Sequence, residues 1–365
     1  MIFGAVAMLA GGATASVPRL LLAWATDDIE IGDDIAEEFK AKDINGPINL
    51  LLLGMDQRTQ QKSEPGLRTD SIILAHIPAS HDRVFMISLP RDIRVQIPPV
   101  PATGYRGGMQ KINAAFEVAA KDANGRDDPS REGRTKGANS MIATIRNLDL
   151  PDGSKFDLPF NGYAIINFDG FQKVLEAIGG VYMCIDQDTY SIHYTKEGVF
   201  LGYDLTAPWV YQVGKFYKEG DCYNMEPWEA LDYARQREFQ PNGDYDRQRH
   251  QQQLVRAILK KIVSSDTLTD FKKISELQKA AGDLLTLDLG NNELADWIFT
   301  LSSIRPDDIV MIKTNGGTYC TVQLPDDPTS YQCLNADSRR LLAAVKSDTV
   351  ADFLAAHPDW VADVQ

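Results

Sequence analysis

The sequence predicts an α/β protein with a central mixed β-sheet flanked by helices. Short, almost wholly apolar runs such as 48–53 (INLLLL) have the pattern of strands buried on both faces. Segments with helical periodicity alternate with these runs after residue 47, which is the pattern of helices layered on a sheet. No internal repeat or low-complexity tract interrupts the alternation.

Taken in order, 48–53 is the first strand, and 71–77 and 84–89 are two more, separated by the turn-like PASHDR. Loop chemistry dominates 90–109, with Pro90, Pro98, Pro99, Pro101, Gly104, Gly107 and Gly108. Helices are predicted over 111–121 and 138–148, then a strand over 163–168 and a helix over 170–178. Asp169 stands at the N-cap position of that helix, and Gly179-Gly180 is where it must stop. A strand follows at 181–185. Pro227 opens another helix, PWEALDYAR, in the first-turn position that proline favours. Asp244 or Asp246 caps a long helix that runs to about residue 263. Beyond it, 270–281 and 292–303 read as helical, 308–313 as a strand and 336–356 as helical.

The 365 residues suggest one large domain with an appendage, or two domains. Residues 1–26 contain a single charge, Arg19, and read as a signal-anchor or transmembrane segment, with Ala13-Thr14-Ala15 as an alternative cleavage site. Residues 27–47 form an acidic stalk or N-terminal helix, with eight acids and two lysines over 27–43. Residues 48–263 are the main domain, and 264–365 an α/β extension packed on it or completing it. The four cysteines, Cys184, Cys222, Cys320 and Cys333, show no CxxC spacing and no histidine in ligand register, which disfavours zinc. In an exported chain they read as disulfides. Three connectivities exist, and pairing of sequence neighbours gives Cys184–Cys222 and Cys320–Cys333.

The net charge of −14 argues against nucleic acid, which needs a basic surface. It does not exclude a phosphate ligand, because residues 48–94 and 235–249 each sum to +1. No GxxxxGK[ST], HExxH, GxSxG or GxGxxG motif is present. What stands out is a set of charged residues at strand ends, where open α/β sheets bind ligands. Asp56 follows the first strand, Arg68-Thr69-Asp70 precedes the second, and Pro90-Arg91-Asp92 follows the third. Two carboxylates brought together there repel unless a cation lies between them, and hard oxygen ligands suit Mg²⁺ or Mn²⁺. Each aspartate read alone is more often a turn residue or a helix cap. A second cluster holds Arg235 and Arg237, then Arg247, His250, Gln251 and Leu254 at helical spacing. Converging arginines are forked donors for phosphate oxygens, and the alternative is an exposed helix start with local ion pairs.

The blocks LLLLGMDQR, LRTDSIILAHIPASHDRVFMISLPRD, KINAAF, GFQKVLEAIGGVYMCI, ALDYARQR and GDYDRQRHQQQ, in this order over roughly 48–263, resemble the LytR-CpsA-Psr (LCP) family of cell-wall glycopolymer transferases. The resemblance implies an LCP-type fold and a membrane-anchored, extracytoplasmic catalytic domain over 48–263. It implies transfer of a glycopolymer (teichoic acid, arabinogalactan-like or capsular polysaccharide) from a polyprenyl-pyrophosphate carrier onto peptidoglycan. It further implies that Asp56 and Asp70 hold Mg²⁺ and that Arg91, Arg235, Arg237, Arg247 and Gln251 hold the pyrophosphate. Asp70 and Arg91 would then be the catalytic pair, with Asp70 or a neighbouring carboxylate as base. His250 stands where many members carry arginine. The polyprenyl tail needs an apolar slot, expected among the strand residues and helices 111–121, 138–148 and 170–178. A polyprenyl-pyrophosphate hydrolase and a non-catalytic module that binds lipid-linked polymer or cell wall are the competing readings.

Overall fold

The computed structural model describes residues 31–32, 34–55, 67–191, 215–237, 239–264, 285–290, 292, 296–297, 300–301 and 303–362. The apolar segment 1–26, Asp56 and the helix expected over 270–281 lie outside them, as does most of the helix expected over 292–303. A seven-stranded sheet forms the centre. Its strands are β1 (Ile31–Gly32), β2 (Ile48–Met55), β3 (Thr69–Ile77), β4 (Val84–Leu89), β7 (Gly162–Asn167), β12 (Leu285–Asp288) and β13 (Ile309–Lys313), in the order β1-β12-β7-β2-β3-β4-β13. The sheet is mixed, as the sequence predicts: β2 runs parallel to β7 and antiparallel to β3, and β4 runs antiparallel to β3 and parallel to β13.

Both faces of the sheet are covered, and the alternation along β2 shows how. Leu50 and Leu52 enter one apolar cluster, together with side chains of α3 (Phe168–Ala177), α4 (Pro227–Tyr233) and α5 (Asp244–Ser264). Leu51 and Leu53 enter the other, with α2 (Arg131–Arg146), α6 (Ala336–Lys346) and α7 (Val350–Ala356). Successive strand residues point to opposite faces, so an uninterrupted apolar run is what a doubly covered strand requires.

Several local expectations need correction. The Pro- and Gly-rich stretch 90–109 is not all loop: β5 (Arg94–Ile97) pairs with β6 (Gly108–Lys111). Only one helical turn, α1 (Ala114–Glu117), stands where a helix was expected over 111–121. The helix expected from 138 begins at Arg131, where Ser130 Oγ accepts from Gly133 N at 3.3 Å. The N-cap of α3 is Asn167, whose Oδ1 accepts from Gly170 N at 2.9 Å, and not Asp169. The helix expected over 336–356 breaks into α6 and α7 at Asp348, whose φ of 56° no α-helix allows. The acidic stretch 27–47 is laid on the body from residue 34 onward: Ile35 and Ile44 are buried, and Lys40 bridges to Phe160.

Four two-stranded ribbons complete the fold: β5–β6, β8 (Val181–Cys184) with β11 (Cys222–Met225), β9 (Thr189–Tyr190) with β10 (Phe216–Tyr217), and β14 (Thr321–Leu324) with β15 (Asp327–Gln332). Both expected disulfides are present. Cys184–Cys222 joins residues directly opposite each other in β8 and β11, and Cys320–Cys333 closes the base of β14–β15.

Candidate active site

The β3–β4 ladder pairs Ile72 with Leu89. Continued two residues past that pair, it brings Asp70 opposite Arg91, and the two form an ion pair through Asp70 Oδ1 and Arg91 Nη1. Pro90 ends β4 just before the arginine, so the guanidinium leaves the sheet at its rim. Helix α5 begins over the same rim. Arg247 in its first turn donates from Nη2 to the carbonyl of Asp70 (3.1 Å) and pairs with Asp244 Oδ1 (2.6 Å). Asp244 also lies 3.9 Å from Arg91 Nε, and Gln248 Nε2 donates to its other oxygen at 3.0 Å. Asp70, Arg91, Asp244 and Arg247 therefore form one compact, largely buried group.

The electrostatics of the group follow from burial and charge balance. Burial pushes the Asp244 carboxyl up, but the Arg247 and Arg91 guanidinium groups outweigh it and hold that carboxyl below its ordinary value. Burial pulls Arg91 down, and here too the opposite charges, Asp70 and Asp244, win and raise it. Arg247 is buried, with about 6% of its surface exposed. For it burial dominates over the pull of Asp244, and its basicity falls. Arginine still stays protonated, because its ordinary value lies so high. Two buried donors, Arg91 Nε and Arg247 Nε, have no hydrogen-bond partner among the described residues. An unmet buried donor on a charged group costs about 1–3 kcal/mol or more, so an anion that reaches both is favoured there.

Further along α5 the chemistry turns apolar. Leu254 and Val255, with Leu231 of α4 and Ala234 at its C-cap, Phe171 of α3, and Met55, Ile73 and Ile166 of the sheet, line a pocket with about 470 Å³ of empty space, part of it open to solvent. Gln251 and Arg235 line it too. The pocket lies on the sheet face covered by α3, α4 and α5. Helix α2 and the turn α1 pack on the opposite face, so of the three helices expected to form an apolar slot only the one at 170–178 contributes.

The structure thus brings Asp70, Arg91 and Arg247 together, sets Gln251 one turn further along α5, and places Arg235 with Gln251 on the wall of the apolar pocket. Arg237 is exposed, and its charge reaches Asp244. Asp56 lies outside the described residues, and among those described no group of three His, Cys, Asp or Glu side chains is placed to hold a metal ion. His250 turns away from the group. It is buried against Tyr233, and its Nε2 meets Asp186 Oδ1 at 3.0 Å. Asp186 also takes bonds from Tyr233, Arg249 and Gln253. Its carboxyl is raised by burial yet held well below the carboxylate range by His250 and Arg249. On a helix, i+3 and i+4 are one face only approximately, and the 100° step separates His250 from Gln251. Asp244, whose sequence position at a helix start marks only a cap, is a member of the charged group as well.

The chain belongs to the LytR_cpsA_psr family, whose model matches residues 23–343. It is 26% identical over 248 residues to the polyisoprenyl-teichoic acid–peptidoglycan teichoic acid transferase TagU of Enterococcus faecalis, covering 68% of this chain and 63% of the relative. With TagU of Halalkalibacterium halodurans the identity is 28% over 256 residues, 70% and 64% of the two chains. The chain therefore spans less than two thirds of the length of these curated relatives. Among solved structures, B. subtilis TagV superposes with a TM-score of 0.56 at 20% identity, over 84% of this chain and 98% of that one. TagT bound to LI-WTA gives 0.55 at 19% identity, over 88% and 98%. These two likenesses show the fold.

Proposed function

We propose that this protein is an extracytoplasmic phosphotransferase that moves a glycopolymer from a polyprenyl-pyrophosphate carrier onto peptidoglycan. The observation that carries the reading is the pair of buried, unpartnered guanidinium donors on Arg91 and Arg247 next to an apolar pocket. A ligand with an anionic centre and a hydrocarbon tail is what both features accept at once. The polymer attached by the TagU relatives, teichoic acid, is the substrate class their name states. Residues 1–26 would hold the chain at the membrane; among the described residues no helix is long and apolar enough to cross one.

In this reading Arg91 and Arg247 bind the pyrophosphate oxygens and stabilise charge that grows on the leaving phosphate. Arg235, Arg237 and Gln251 complete the donor set, and the pocket beside α5 takes the prenyl chain. The acceptor hydroxyl oxygen forms a bond to the sugar-bearing phosphorus, the bridging P–O bond breaks, and polyprenyl phosphate leaves. Asp70 takes the hydroxyl proton, since Asp244 is more deeply enclosed and clamped between two arginines. Asp70 supplies a hard carboxylate at the strand end, with Oδ1 shared with Arg91. With Asp56 as second ligand, that set suits Mg²⁺ or Mn²⁺, ions that keep several waters. Bound there, the cation would add positive charge against the pyrophosphate.

The test measures transfer from a short-chain prenyl-pyrophosphate-linked polymer to a peptidoglycan fragment. R91A lowers it by about 100-fold or more. R237A, at an exposed position that leaves the core untouched, lowers it as well. Full transfer by both variants, with unchanged thermal unfolding, would sink the assignment.

A further inference from the structure

Tyr319 lies just beyond the arginine group and is half exposed, at 51%, which is unusual for so large an aromatic ring held so firmly. Its hydroxyl accepts the backbone N–H of Asp244 at 3.1 Å, at the first residue of α5. Gly243 makes this approach feasible, because a Cβ there would collide with the tyrosine oxygen, and its φ of +48° also suits glycine. The ring packs at right angles to that of Tyr245, with centroids 5.3 Å apart and planes at 79°. Tyr245 is in turn fixed by a bond from Asn315 Nδ2 (2.7 Å) and one to Gln332 Oε1 (3.2 Å). The next residue, Cys320, is in a disulfide, and Gln332 N, at the same end of the ribbon, donates to Asp92 O at 2.9 Å. The ring is thus presented to solvent on a rigid mount beside the arginine group.

The order of chemistry along α5 gives this ring a meaning. Leu254 and Val255 line the apolar pocket, Gln251 stands at its polar end, Arg247 and Asp244 belong to the charged group, and Tyr319 caps the helix beyond them. At 1.5 Å per residue the run from Val255 to Asp244 covers about 16 Å. A lipid-linked polymer has the same order: hydrocarbon, pyrophosphate, first sugar. We infer that Tyr319 is the platform on which the first sugar of the lipid-linked polymer rests. Its exposed π-face packs against the apolar C–H face of a hexose, so it selects for ligands that carry a sugar on the distal phosphate. This rests on the pyrophosphate reading above and deepens it.

The experiment compares the affinities of the full chain for geranyl pyrophosphate and for geranyl-pyrophosphoryl-glucose. In the wild type the glucosyl ligand is the tighter one. Y319L weakens the glucosyl ligand by roughly fivefold to tenfold more than it weakens geranyl pyrophosphate, while Y319F, which keeps the ring, preserves the preference. A second measurement needs no variant: geranyl-pyrophosphoryl-glucose protects Tyr319 of the wild type from nitration, and geranyl pyrophosphate does not. Equal loss of both ligands in Y319L, or equal protection by both, overturns the inference and leaves Tyr319 as a brace for α5. Wild type that binds neither ligand would instead overturn the pyrophosphate reading, and this inference with it.

Discussion

Asp244 illustrates what a single residue reveals only in three dimensions. In sequence it is an aspartate at a helix start, and the commonest meaning of that pattern is a cap. Its partner Arg91 is 153 positions away, and nothing local announces the contact. Asp70 and Arg91 are more legible, because one lies at the start of β3 and the other follows β4, and the ladder of these strands sets them opposite each other. Changing Asp244 to Asn leaves two buried guanidinium groups without their shared carboxylate. Removal of one partner from a buried charged group costs about 3–5 kcal/mol, and urea unfolding of D244N is expected to show a loss of that size. Asp232, one turn before Arg235, makes a pH prediction. Burial outweighs its bonds to Tyr217 and Gln236 and pushes its carboxyl up to about 6. A carboxyl raised in the folded state holds its proton while the unfolded chain releases it, so stability falls between about pH 4 and pH 6 and levels off above. D232N lacks this term. Relative to wild type it gains stability as pH rises through that window, and a constant difference from pH 4 to 8 would refute the assignment.

At the scale of elements, the nearly apolar strands are plain in the sequence and the ribbons are not. β2 and β4 lie under helices on both faces, so nearly every position is buried, few but Asn49 and Ser88 are polar, and the run stands out. β5 and β15 sit at the surface, where exposed residues alternate with partly or wholly buried ones over four to six positions beside Pro and Gly. Helix α2 hid its first two turns for another reason. Gly133, Gly137, Ala138 and Ser140 are among its buried residues, so that face is small where a hydrophobic stripe is usually large. The two disulfides act on elements of different reach. Cys184–Cys222 closes a separation of 38 residues and Cys320–Cys333 one of 13. If restriction of the unfolded chain is what they contribute, C184A/C222A lowers stability by about 4 kcal/mol and C320A/C333A by about 3 kcal/mol. Denaturant titration of the two double variants checks that order, and the reverse order would mean that native contacts of the 320–333 ribbon, not chain entropy, dominate.

For the whole molecule, the total charge of −14 says little about the site, because the arginines gather where strand ends and the start of α5 converge. The division of the chain matters more. The motif blocks end near residue 263, which invites a boundary there, yet the sheet does not end with them. β12 supplies the strand between β1 and β7, and β13 pairs with β4 at the opposite side. Asp288 accepts the backbone N–H groups of Asp34, Ile35 and Gly290, and so ties the acidic stretch to the sheet. Leu285, Leu287, Ile309, Met311, Ile312, Leu341, Leu342, Val345 and Trp360 all enter the two apolar clusters. Each buried side chain of this kind contributes roughly 1.5–3 kcal/mol, so losing even half of them is comparable to the total stability of about 5–15 kcal/mol typical of a folded domain. Removal also bares the outer backbone of β4 and β7, which then templates association. A chain ending at residue 264 is therefore expected to aggregate and to show no cooperative thermal transition, where the full chain shows one. A soluble, cooperatively folding chain of that length would instead make 48–263 an independent domain, with the C-terminal strands an addition to a sheet already stable without them.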